Sequence, residues 1–190
     1  MISILGKRAA LILCCLLAAT GIWKAGFPEA LAQPLLGDEY RVKGGFLYHF
    51  MRFTQWPAGA FDNADAPLVL CIASTVPESD ILLALNDKVI RNRKVLVVKF
   101  TEPKDIQRCH VLFVASQDEK YVIKRLSDAG EKSILTVGEI PIFTQSGGVI
   151  RFFRARDQLR FEVNLDAADR AGLRFSSQML MSAEIVRREK

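Results

Sequence analysis

Leu68-Val69-Leu70-Cys71-Ile72-Ala73 is the stretch on which the fold turns. All six side chains are apolar with no alternation, so a strand here needs cover on both faces, as in a parallel α/β sheet. Val95 to Phe100 and His110 to Ala115 repeat the pattern. Helical signals fall between and after them: Ser79 to Leu85, a short turn around Lys104 to Gln107, and Glu119 to Ala129 stopped near Gly130. A further strand is predicted at Ser133 to Val137, and this strand-helix rhythm predicts a wound α/β sheet.

Outward from that centre the rhythm changes. Ile140 to Ser146 reads as an irregular connection and Gly147-Gly148 as a turn opening a strand over Val149 to Phe153. After a polar turn from Arg154 to Gln158, Leu159 to Val163 pairs back as a hairpin. Asp166 to Ala171 reads as a helix stopped by Gly172, and Ser176 or Ser177 can cap a last helix running to about Arg187. Upstream, Asp38 to Phe53 reads as a helix because Phe46, Leu47, Phe50 and Phe53 share one face, and Trp56-Pro57 ends it. Gly44 and Gly45 each cost that helix about 1 kcal/mol relative to alanine. Close packing of another element would explain them. The expected fold is α/β, a single domain with a mixed, mostly parallel sheet flanked by helices and a C-terminal β-hairpin and helices.

Residues 1–32 read as a secretory signal peptide: Lys7 and Arg8, the apolar run Ala9 to Ile22, and Ala30-Leu31-Ala32 before Gln33. The alternative is a retained anchor, but that run is shorter than the roughly 20 residues a spanning helix needs. Cys14 and Cys15 follow Ile12-Leu13, not the small residues expected before a lipid-attachment cysteine. Residues 33–190 are then the exported domain, of a size to bury a sizeable core. Lys7, Arg8, Lys24 and Glu29 leave with the leader, so the formal charge falls from +5 to +3. That scattered excess argues against nucleic acid.

Only Cys71 and Cys109 remain in the exported domain, and an oxidising compartment suggests one disulfide between them. Closing that span would stabilise the fold by about 4 kcal/mol. The alternative is two buried free thiols. If the strands at Leu68 and His110 are neighbours, their spacing of about 4.8 Å suits the roughly 5.5 Å Cα separation a disulfide prefers.

Catalytic motifs are missing: no G-x-S-x-G elbow, phosphate-binding loop, H-E-x-x-H or G-x-G-x-x-G follows a strand. The residues point away from an enzyme and imply no cofactor. His49 and His110 are the two histidines of the exported domain. His49 reads as a packed or partly exposed helix residue, and a His110-activated thiolate or metal site would compete with the disulfide for the Cys109 sulfur. Arg151, Arg154, Arg156 and Arg160 crowd the hairpin, and alternation would bring some of them to one face, where they could meet an acidic partner or anionic headgroups; the alternative is a solvated hairpin face. Glu162 and Asn164 share a strand face, and a buried Glu162 would need a partner such as Arg160 or Arg170. Phe46, Phe50, Phe53 and Trp56 read as core.

An ordered set of segments resembles the YfiR family of periplasmic proteins, catalogued as a domain of unknown function. It runs from Tyr40-Arg41-Val42-Lys43, Phe46-Leu47-Tyr48-His49-Phe50 and Trp56-Pro57 through Leu70-Cys71-Ile72 and Cys109-His110-Val111-Leu112-Phe113 to Ile134-Leu135-Thr136-Val137. It continues through Gly147-Gly148-Val149-Ile150 and Arg160-Phe161-Glu162-Val163-Asn164-Leu165 to Ala171-Gly172-Leu173 and Ser176-Ser177. The resemblance implies a small periplasmic repressor that binds the sensor region of an inner-membrane diguanylate cyclase and lowers cyclic di-GMP, restraining biofilm. An outer-membrane lipoprotein that draws the repressor away, and a homodimer, are the other implied partners. It also implies that Cys71 and Cys109 match the family's structural disulfide. Two departures stand out. Thr144, Gln145, Ser146 and Phe152 lie where some members carry a second cysteine pair, which puts redox control through such a bond in doubt. Gly44-Gly45 replaces an alanine-rich spacing in the first helix.

The alternative function is a periplasmic module whose cleft, at the point where strand order reverses, binds a small molecule or cell-wall fragment. An enzyme built on His110 or a carboxylate pair comes third.

Overall fold

The two-sided burial expected of Leu68–Ala73 is what a computed structural model of the protein shows, describing residues 32–73, 79–130 and 132–187. Strand β2 (Leu68–Ala73) is buried at every position except half-buried Val69, and β5 (Val111–Val114) is buried throughout. They lie side by side and parallel, with Leu70 opposite Val111 and Cys71 opposite Leu112. On the other side β2 pairs in parallel with β4 (Arg93–Phe100), and β3 (Val89–Ile90) closes that edge as an antiparallel hairpin. Beyond β5 come β6 (Leu135–Gly138), β7 (Ile150–Ala155), β8 (Gln158–Asn164) and β10 (Glu184–Val186), giving an eight-stranded sheet ordered β10-β8-β7-β6-β5-β2-β4-β3. Strand order reverses beside β2.

Only β3–β4 and β7–β8 are antiparallel within this sheet, so it is mixed but mostly parallel, as the sequence predicts. Helix α1 (Ala32–Phe53) begins before the predicted Asp38 and lays Phe46 and Phe50 on the β7–β8 hairpin. The Phe50 ring centroid is 4.8 Å from Phe161 in an edge-to-face contact and 5.5 Å from Phe152 in a tilted one, contacts that add to area burial. Two units divide the chain at Leu36: in the first the described residues are the helical Ala32–Leu36, and Gly37–Lys190 is the unit holding the sheet. The expected signal segment and its cleavage site lie outside the described residues, apart from Ala32.

Helix α3 (Glu119–Ala129) has its predicted bounds because Asp118 accepts a hydrogen bond from the Tyr121 amide at 3.1 Å and Gly130 leaves the helix at φ 61°. The predicted helix at Ser79 divides into α2 (Ser79–Leu82) and a 3-10 turn, Leu83–Leu85. The hairpin turn contracts from five predicted residues to Arg156-Asp157, both left-handed (φ 49° and 61°) as the twist of a two-residue hairpin requires. Gly147-Gly148 is a turn, and a Cβ on Gly148 would lie 2.2 Å from the Phe143 ring, so Phe143 seats where only glycine leaves room.

Two further readings are corrected and one strand pair was missed. The last helix does not reach Arg187: α5 (Ser177–Met181), capped by Ser176, stops at Ser182, and the chain becomes β10 alongside β8. Ile185 and Val186 are β-branched, and the open edge of β8 supplies the hydrogen-bonding partners that a helix would leave unused. The pair β1 (Thr54–Gln55) and β9 (Arg174–Phe175) went unread because two-residue strands carry no period. Glu162 is partnered by Arg151, not Arg160 or Arg170, since Arg151 sits directly opposite it across the hairpin.

Cys71 and Cys109 are disulfide-bonded with Cα atoms 5.7 Å apart. The bond closes a 38-residue span containing β4 and the 3-10 turn Pro103–Arg108, which delivers Cys109 to the start of β5. Replacing Cys71 by Ser is therefore expected to expose a titratable thiol at Cys109 and lower unfolding free energy by about 2–5 kcal/mol, measured by thiol labelling and denaturant melts.

Candidate functional site

The four hairpin arginines do not form one patch. Strand alternation puts Arg151 and Arg160 on one face and Arg154 on the other, while Arg156 occupies the turn. Arg151 is committed inward: its Nε and Nη2 donate to Glu162 Oε1 and Oε2, both at 2.8 Å. Thr144 Oγ1 adds a 2.6 Å bond to the same carboxylate, and Asn164 ties the Thr144 carbonyl while capping helix α4 (Leu165–Arg170). Burial pushes the Glu162 carboxyl up, but the bonds from Arg151 and Thr144 outweigh it and hold the group below its ordinary range.

Arg154 reaches back to α1, donating to Glu39 Oε2 at 2.9 Å. The other Glu39 oxygen is 2.7 Å from Lys43 Nζ, which also lies 2.7 Å from Glu139 Oε1 just past β6. Lys43 is only 3% exposed, so its ammonium is spent between two carboxylates. Their responses differ. The Lys43 hydrogen bond leads in lowering Glu39, whereas desolvation dominates at Glu139 and raises it. The Lys43–Glu139 contact is an ion pair poorly aligned for hydrogen bonding, since Glu139 Oε1 is otherwise unsatisfied. The Glu39–Lys43 spacing of four was readable as a helix pair. Glu139 carried no sequence signal.

Arg160 approaches Glu184 at 3.8 Å, an exposed pair worth little. Arg156 is exposed and makes no ion pair with any described residue, so of the four it presents the uncommitted charge.

The two histidines separate as sharply. His49 is exposed and stacks on Phe53 at 5.8 Å. His110 is a structural hub at the start of β5. Its Nδ1 accepts the Val69 amide at 3.1 Å, and Nε2 lies 3.0 Å from the Ala60 carbonyl, which fixes a neutral ring carrying its proton on Nε2. Phe61 stacks on it at 4.2 Å, and the Arg93 guanidinium lies 3.9 Å over the other side of Phe61 while donating to the Asn63 and Ala66 carbonyls. Three layers thus bind the 57–66 loop to the starts of β2, β4 and β5. The Cys109 sulfur beside it is bonded to Cys71, so His110 has no thiol to activate. Among the described residues no group of three His, Cys, Asp or Glu could hold a metal ion.

Burial is the leading cause that pushes the His110 pKa below its ordinary 6.5, with Arg93 acting the same way and the Ala60 bond and Asp62 opposing. A depressed folded-state value means the unfolded chain binds the proton first, so stability is complete above about 6.5 and declines as pH falls through it. Chemical denaturation across that range is expected to show this acid-side loss, and His110→Gln, which cannot take up the proton, is expected to remove it.

These features define a disulfide-braced, doubly wound α/β domain whose polar clusters serve packing. The profile of the YfiR/HmsC-like family matches residues 40–184, well over half of the chain, and the chain belongs to that family. The family is periplasmic and regulatory in general character, and a disulfide fits an oxidising compartment. No curated protein matches the chain.

Proposed function

We propose that this chain is an exported regulator that binds the periplasmic sensor region of an inner-membrane diguanylate cyclase and lowers cyclic di-GMP synthesis. The family match over residues 40–184 carries the reading. The Cys71–Cys109 bond supports it through the compartment it suits. A protein outside the cytoplasm can change a cytoplasmic messenger only through a partner that crosses the membrane. An outer-membrane lipoprotein competing for the same protein, and a homodimer, complete the proposed partner set.

The hairpin tip is the proposed contact. Arg154 and Arg160 flank it already engaged, so Arg156 is the charge left to meet an acidic partner. Residues 1–32 are proposed to be removed on export, leaving Gln33 as the first residue.

Deleting the gene is expected to raise cellular cyclic di-GMP, restored by the wild-type chain, and an unchanged level would sink the regulator reading. Arg156→Glu is expected to weaken capture of the cyclase's periplasmic region about tenfold, more at low salt than at high, with an unaltered melting temperature. Equal capture by both forms would remove the hairpin from the interface. The intact mass of protein released from the periplasm is expected to begin at Gln33, and a mass retaining residues 1–32 would indicate an anchor.

A further inference from the structure

Gly45 sits mid-helix in α1 with no steric reason to be glycine. A Cβ built there meets nothing within 4 Å, and one on Gly44 makes ordinary contact with Leu82 at 3.4 Å. Alanine would fit at Gly45 and favour the helix, so packing within the chain does not account for glycine. What lies beside it is space. A groove of about 720 Å³ runs between α1 and the Asp80–Lys88 segment, within the size range of small-molecule sites.

The groove's chemistry is legible from its lining. Tyr40, Tyr48, Ile81 and Leu85 give aromatic and aliphatic walls. Its one acid, Asp80, is bound by Lys99 at 2.6 Å and so offers no free negative charge. Two cations also line it. Arg41 uses one Nη1 donor on Asp38, leaving the remaining guanidinium donors, and Lys88 pairs with no described residue. An apolar groove with residual positive charge complements an apolar or aromatic body bearing one anionic group.

We propose that this groove binds a small amphipathic anion of that class, a flat or branched apolar body with a carboxylate or sulfonate, and that Gly45 keeps its floor clear. The site does not depend on the regulator reading, because its residues are separate from the hairpin tip and its binding is measurable without the cyclase.

The test uses protein isolated from the periplasm and 1-anilinonaphthalene-8-sulfonate as probe, with neutral N-phenyl-1-naphthylamine as control. Saturable one-to-one fluorescence is expected with the native protein. Gly45→Leu is expected to bind the probe about tenfold more weakly while melting roughly 2–4 °C higher, since it fills the groove and improves the helix. Should that variant fail to fold, Gly45→Ala is expected to show the same two changes at smaller size. Lys88→Ala is expected to weaken the sulfonate and leave the neutral probe unchanged. Non-saturable binding, or undiminished affinity in a folded Gly45 variant, overturns the proposal. So does a Gly45 variant that changes oligomeric state or cyclase capture but not probe affinity, which would make the groove a protein-docking face.

Discussion

The parallel pairing of β2 with β5 is the constraint on which the rest of the structure depends. Leu70 faces Val111 and Cys71 faces Leu112 in a ladder buried on both sides, and strand order reverses at this pair. A parallel pair cannot be closed by a tight turn and needs a long crossover, here the 38 residues between the two cysteines. The entropy of ordering that crossover opposes the fold. Two devices counter it at the same end of the ladder: the disulfide, and a pair of hydrogen bonds that tie His110 to the Val69 backbone through its ring Nδ1 and its own amide. The pair is thus locked in register by groups adjacent in sequence, Cys109 and His110.

The buried polar groups follow the same logic of fixing elements that apolar packing alone would let slide. Glu162, Arg151, Thr144 and Asn164 join the hairpin, the 140–147 connection and the start of α4. Lys43 joins α1 to the end of β6 and, through Glu39, to Arg154. Buried ion pairs add little net stability once desolvation is counted, yet each is costly to break by halves. Their contribution is to specify which helix sits on which strand.

What the sequence disclosed and what it hid divide along physical lines. The uninterrupted apolar runs at Leu68 and His110 revealed the sheet because double burial leaves no polar positions, and α3 was read to its ends because Asp118 and Gly130 are local signals. The family was legible from the order of its segments. The fate of residues after Ser182 was not, because β10 exists only where β8 offers an edge, a condition met far away in the chain. Glu162 was recognised as needing a cation, but its true partner depends on hairpin register, which shifts with turn length. Reading five turn residues instead of two hid the Arg151–Glu162 opposition. Alternation was expected to bring some of the four hairpin arginines to one face, and it brings Arg151 and Arg160 there; which of them are already paired was not legible, and pairing leaves Arg156 as the uncommitted charge.

Helix α1 is shared by three of these features, carrying the aromatic seam to the hairpin, the Lys43 clamp and the glycine floor of the groove. That sharing decides how a groove ligand could act. Moving α1 would pull Lys43, 3% exposed, away from Glu139, part Glu39 from Arg154 and strip Phe50 from Phe152 and Phe161, a large cost for a small ligand. The opposite wall is weaker. It is one short α turn, Ser79–Leu82, followed by a three-residue 3-10 turn, with Leu82 and Leu85 as its buried anchors. Shifting such a segment would break no buried ion pair, so a ligand in the groove would displace it at less cost than it would displace α1.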